Sequence, residues 1–177
     1  MDFNFTDDQN AIRELAHQIF TDRASDEFLL EFSRTDKTYD DTLWSTLAEQ
    51  GLLGVAIPES AGGTGLGLIE LCMVLEEQGR RVAPVPLYAS VVLGGLPIAE
   101  YGSEEQQQCH LQPLAAGTAK FSAAIAELGM NAALATSVTA VREAEGWVLD
   151  GSKSAVPDGA VADFVLVPAE TADGEQT

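Results

Sequence analysis

Four groups of residues have types and spacings that invite a chemical reading: the glycines at Gly62, Gly63, Gly65 and Gly67, the neighbours Cys109 and His110, the adjacent Glu76 and Glu77, and His17. A glycine cluster after an apolar run can cradle a phosphate. These glycines do not follow the G-x-G-x-x-G order, Pro58 interrupts the preceding run, and no Lys-Ser or Lys-Thr follows to reach phosphate and magnesium. They read as a permissive surface loop. Cys109 and His110 cannot face one another on a helix, no G-x-S-x-G elbow is present, and no second pair of ligands stands at metal spacing. Neither a nucleophilic site nor a metal site is therefore expected. Glu76 and Glu77 diverge by about 100° on a helix and read as a solvated helix end. His17 falls on the polar side of its helix. Cys72 and Cys109, the only cysteines, read as buried, reduced thiols.

The charge balance narrows the partners. With 28 acidic and 9 basic side chains among 177 residues, the formal charge is -19, which repels a polyanionic backbone and argues against nucleic acid. At 46% hydrophobic and 21% charged, the chain has the material for a packed core in one or two small domains. No stretch approaches the roughly 20 apolar residues of a membrane helix. Asp2, Asp7 and Asp8 stand where a secretory signal would be positive, so a cytoplasmic location is expected.

The elements that must position these residues are legible in the periodicity. Thr6 and Gln9 form a capping-box pair, and Ile12, Leu15, Ile19 and Phe20 recur at helical spacing, predicting a helix from about Asp7 to about Arg23. A short helix is expected through Phe28, Leu29 and Phe32, and a third from Asp40 or Asp41 to Gly51. Leu68, Leu71, Cys72 and Leu75 form one stripe and Ile69 with Met73 a second, predicting a helix buried on more than one side and ended by Gly79. Pro84 and Pro86 lead into another apolar helix through Leu87 and Val91 to Leu93, and Ser103 caps a polar helix after Gly102. After Gly117 the pattern changes to short β-prone runs at Phe121 to Ile125, Ser137 to Arg142, Trp147 to Leu149 and Phe164 to Val167. The expected class is α+β: an all-helical domain over residues 1–117, then an incomplete antiparallel β-domain over 118–177 whose strands share one apolar face.

Three stretches in order resemble the acyl-CoA dehydrogenase family: GLLGVAIPESAGGTGLGLIELCMVLEEQGR, LPIAEYGSEEQQQCHLQPLAAG and GWVLDGSKSAVPDGAVADFVLVPA. With the first helix they cover nearly the whole chain. The resemblance implies FAD held between a middle β-domain and a C-terminal four-helix domain, and desaturation of an acyl-CoA thioester between Cα and Cβ, as in fatty acid or steroid side-chain degradation. A glutamate takes the α-proton and the flavin the β-hydride. That glutamate belongs to the C-terminal domain, which is expected to be absent here, so the resemblance assigns no catalytic residue to this chain.

For the cofactor, the resemblance points to Ile125, Glu127 and Val156. The family's Ala-Leu-Thr-Glu-Pro segment stands here as Ala124, Ile125, Ala126, Glu127 and Leu128, and Ala126 removes a hydroxyl. The family's Lys-x-Trp-Ile-Thr pattern stands as Lys153, Ser154, Ala155, Val156 and Pro157, so an aromatic wall and another hydroxyl are missing, and Pro157 lacks an N–H. For the acyl tail, Ser90, Leu93, Gly94 and Leu96 match the lining helix, with Gly94 leaving room for a bulky group. These departures resemble the degenerate subunit of heteromeric members, which pair it with a flavin-competent relative. An ordinary FAD-binding dehydrogenase and a non-catalytic interaction module are the alternatives. The expected partners are an acyl-CoA substrate and a homologous subunit in a homo- or hetero-oligomer.

Overall fold

In the computed structural model, residues 4–125, 136–143 and 146–171 are described. Helix α1 spans Asp7–Arg23, and its start is closed by both bonds of the Thr6–Gln9 capping box. α2 (Asp26–Phe32) is capped by Ser25, and α3 (Asp41–Glu49) by Asp40, whose carboxylate accepts from the N–H groups of Thr42 and Leu43. α4 spans Leu68–Arg81. A π-helical stretch, Tyr88–Gly95, runs directly into α5 (Leu96–Tyr101), and the Ser103–Gln106 capping box starts α6 (Glu104–Ala115). Among the described residues, no helix is long and apolar enough to cross a membrane.

α1 and α4 lie side by side in the same direction, joined by three polar rungs. Gln9 donates to Glu70 at 2.9 Å, His17 Nδ1 lies 2.8 Å from Glu77 Oε2, and the Arg81 guanidinium donates to Thr21 Oγ1 at 3.1 Å. Glu77 is not the solvated helix end expected, because it is buried between His17 and Arg80, whose Nε lies 3.3 Å from its carboxylate. The 3.6-residue turn that separates Glu77 from Glu76 also puts it in register with buried Leu71 and Val74. Glu77→Gln keeps the shape and removes the charge. Discounted for the exposure of His17 and Arg80, the loss is about 1 kcal/mol, read as a lower urea midpoint with an unchanged slope.

Several expectations for α4 are corrected. It is buried through Leu71, Met73, Val74 and Glu77, whereas Leu68, Ile69 and Cys72 face water. It also continues past Gly79, since Arg80 and Arg81 complement the C-terminal dipole and their side chains are tied to Glu76, Glu77 and Thr21. Cys109 is likewise exposed, one position before half-buried His110 and buried Leu111, so both thiols are free and solvent-facing rather than buried.

The glycine segment is no slack surface loop. Residues 63–66 lie back along 54–57, with Thr64 N–H bonding Gly54 O at 3.0 Å, Gly65 N–H bonding Ile57 O at 2.9 Å and Leu66 N–H bonding Val55 O at 3.0 Å. Gly63 is so close to Ile57 that a Cβ would stand 2.1 Å from its carbonyl oxygen. One apolar core gathers Phe20, Leu43, Leu47, Leu53, Ile57, Leu71, Leu114 and Phe121, so the first strand residue belongs to the helical body.

Among the described residues, five short strands follow: β1 Phe121–Ala123, β2 Thr139–Glu143, β3 Gly146–Asp150, β4 Phe164–Leu166 and β5 Glu170–Thr171. The α+β class holds, but the antiparallel expectation holds only for the β2–β3 hairpin. β1–β4 and β2–β5 pair in parallel. The chain enters β4 from the same end as β1 because Asp163 clamps Lys120: its N–H bonds Lys120 O at 2.7 Å, and its carboxylate accepts from Lys120 N–H at 2.8 Å. That main-chain bond, aided by the Lys120 ammonium, holds the Asp163 carboxyl below the usual range. Nor do the described strands share one face. β1 and β4 join the helical core, while β3, β2 and β5 form a separate sheet over Val138, Ala140 and Ala169.

Candidate functional site

The π-helical stretch positions the residues expected to line an acyl tail. Its last turn is widened, with Leu96 N–H bonding Val91 O five residues back, and Pro97 removes the next donor. Ser90 and Gly94 both face Phe121. Ser90 is fully buried, and its hydroxyl accepts from Phe121 N–H at 3.1 Å while donating to Phe121 O at 3.2 Å, so both polar groups of that strand residue are satisfied. A Cβ on Gly94 would stand 2.3 Å from Phe121 Cβ. The volume that Gly94 leaves is therefore taken by Phe121, not left open for a bulky group. Leu93 and Leu96 are half-buried, and Leu96 contributes with Ala56, Pro58 and Leu68 to a shallow apolar groove.

Of the expected cofactor residues, Ile125 follows β1 and Val156 is brought to that strand by its neighbour Pro157. Ser122, also fully buried, donates its hydroxyl to the carbonyl of Pro157 and so holds the 155–157 segment against β1. Ile125, two residues beyond the strand, is half exposed, and Val156 is half-buried. Ala126 and Glu127 lie outside the described residues. Ala155 and Asp158 both adopt left-handed backbone, with φ of 52° and 49°, so the segment is a tight, strained turn. Burial pushes the Asp158 carboxyl up. Tested against a flavin, these residues do not fit: no aromatic wall stands at 155–157, no side-chain hydroxyl is offered there, Pro157 has no N–H, and its carbonyl is engaged by Ser122. Among the described residues, the main-chain groups of Ile125 and the Val156 N–H remain, since the Val156 carbonyl accepts from Gly159 N–H.

Two arrangements escaped the sequence reading. One is the buried Glu77 with His17 and Arg80. The other is an aromatic cluster in which Phe121 and Phe164 stack at 5.1 Å between centroids, with His110 edge-on to both at 6.0 and 5.2 Å. His110 is thus half-buried, at the boundary of the core. The only available signal was the Phe that opens each of two β-prone runs. Among the described residues no group of three or more His, Cys, Asp or Glu side chains could hold a metal ion.

A body of helices ending in a strand pair that the same core absorbs is the arrangement expected of the N-terminal part of a flavin-dependent acyl-CoA dehydrogenase. The family model for the acyl-CoA dehydrogenase N-terminal domain matches residues 6–118, and the chain belongs to the acyl-CoA dehydrogenase family. It is 34% identical over 175 residues to the acyl-CoA dehydrogenase FadE27 of Mycobacterium tuberculosis, covering 98% of this chain and 46% of that protein. Among solved structures, it is similar to the Tcur3481-Tcur3483 steroid ACAD G363A variant, with 44% identity, a TM-score of 0.86 and coverage of 94% of this chain and 46% of that one. It is also similar to the ChsE4-ChsE5 complex from Mycobacterium tuberculosis, with 34% identity, a TM-score of 0.87 and coverage of 98% and 47%. The chain spans about half the length of these relatives.

Proposed function

We propose that this chain is part of an acyl-CoA dehydrogenase subunit that contributes to FAD-dependent α,β-desaturation of an acyl-CoA thioester through a related, flavin-competent partner subunit. In this reading residues 1–117 form the helical domain, residues 118–177 begin the middle β-domain, and the protein acts in the cytoplasm on lipid-derived thioesters, including those with bulky steroid side chains. The observation that carries it is the 155–157 segment, where alanine, valine and proline stand in a turn whose Pro157 carbonyl is taken by Ser122 and whose Val156 carbonyl is taken by the Gly159 N–H. Ile125, Glu127 and Val156 then touch a cofactor only weakly. Two lost hydroxyl contacts, at roughly 0.5 to 1.5 kcal/mol each, weaken binding by about one to two orders of magnitude. Similarity to a steroid ACAD and to a two-component complex supports both the substrate class and the partner.

The acyl-tail residues divide their work. Leu93 and Leu96 offer apolar side chains, whereas Ser90 and Gly94 act indirectly by seating Phe121. The test is co-expression with a related subunit followed by an acyl-CoA desaturation assay. Activity in the co-purified pair, and none in this chain alone, is the expected result. Full activity of the partner alone, unchanged by this chain, contradicts it.

A further inference from the structure

The end of α5, the inner face of α6 and the β1–β4 pair enclose a cavity of about 560 Å³. None of the described acyl-tail or cofactor residues lines it. It reaches the core, because Phe121, which is 1% exposed, forms part of its floor beside Ile98 and Phe164. Phe164 is nevertheless 47% exposed, and Tyr101 at the rim is 86% exposed. Large aromatic faces left open to water on so acidic a chain call for an occupant.

The lining also limits what that occupant is. In a chain of net charge -19, none of the ten described residues that line it is Asp, Glu, Lys or Arg. Phosphates, carboxylates and ammonium groups would enter without a counter-charge, so the phosphate-bearing part of a coenzyme has no seat here. The stacked pair Phe121 and Phe164, held at 22° to one another with His110 edge-on, is a rigid aromatic floor on which a flat ring makes more contact than a flexible chain. His110 Nδ1 is buried without a hydrogen-bond partner, so a polar group of an occupant could satisfy it. Gln106 spends its side-chain oxygen on the Ser103 N–H in the capping box, which leaves its amide nitrogen as the polar group it can offer at the rim. A volume in the small-molecule range that penetrates to a core phenylalanine is deeper than a flat protein contact.

We propose that this cavity binds a neutral, ring-bearing apolar small molecule carrying one hydrogen-bonding oxygen, separately from any acyl-CoA or flavin site. The probe is 2-naphthol, with naphthalene-2-sulfonate and 1-octanol as comparisons, followed by equilibrium dialysis against the 177-residue chain. The expected result is saturable one-to-one binding of 2-naphthol, at least tenfold tighter than either comparison. Phe164→Ala removes half-exposed aromatic surface and should weaken binding about tenfold, while Val165→Trp, filling the cavity from its exposed edge, should abolish it with the circular dichroism unchanged. Absence of saturable binding, equal binding of the sulfonate, or indifference to both substitutions overturns the proposal. Expulsion of the probe on assembly with a related subunit assigns the cavity to a protein contact and also overturns it. None of these outcomes depends on whether the assembled protein is a desaturase.

Discussion

Replacing Phe121 with alanine is expected to cost about 3 to 5 kcal/mol, a large share of the 5 to 15 kcal/mol that holds an ordinary domain folded. The side chain is buried in the common core, fills the space left by Gly94, and stacks on Phe164 and His110. Its main-chain bonds to Ser90 survive in alanine, so the loss is one of packing. The comparison that isolates this is Phe164→Ala: the same ring, half exposed, should cost less than half as much. Urea denaturation of both variants measures the difference, and equal losses would contradict the assignment of Phe121 as the residue that fastens the strands to the helical body.

A comparable effect is expected from a single methyl group at Gly63. Its Cβ would stand 2.1 Å from the carbonyl oxygen of Ile57 and 2.5 Å from Ile57 Cβ, and a carbonyl cannot rotate aside as a side-chain end can. Relief requires residues 63–66 to lift from 54–57, which breaks the bonds from Thr64, Gly65 and Leu66. Overpacking of this kind costs about 3 kcal/mol. Gly79→Ala is the control, because nothing lies within 4 Å of its Cβ position and alanine favours the helix by about 1 kcal/mol. Thermal melts should therefore move in opposite directions. A neutral Gly63→Ala would mean that the segment is the loose loop its composition suggests.

These residues show why some of the structure was legible in the chain and some was not. Capping boxes are local: Thr6 with Gln9 and Ser103 with Gln106 announce where α1 and α6 begin, and the helices start there. The turn from helical to β-prone patterning near Gly117 is local too. What escaped depends on partners distant in sequence. Glu77 is drawn into the interior by His17, sixty residues earlier, and Cys72 is left outside because the face that α1 covers lies one residue away, at Leu71. The parallel β1–β4 pairing rests on the clamp between Lys120 and Asp163, which no alternation of apolar residues encodes. Of the candidate site, the residue types at 155–157 were readable at once. That Ser122 ties the turn down, and that Phe121 occupies the room beside Gly94, were not.

The proposed function requires that this chain serve a flavoenzyme without holding the flavin tightly by itself. The most direct measurement is the absorption spectrum of the chain purified alone, followed by that of the same chain co-purified with a related subunit. A colourless protein alone and flavin absorbance only in the pair are expected. Stoichiometric, tightly held flavin in the isolated chain would contradict it.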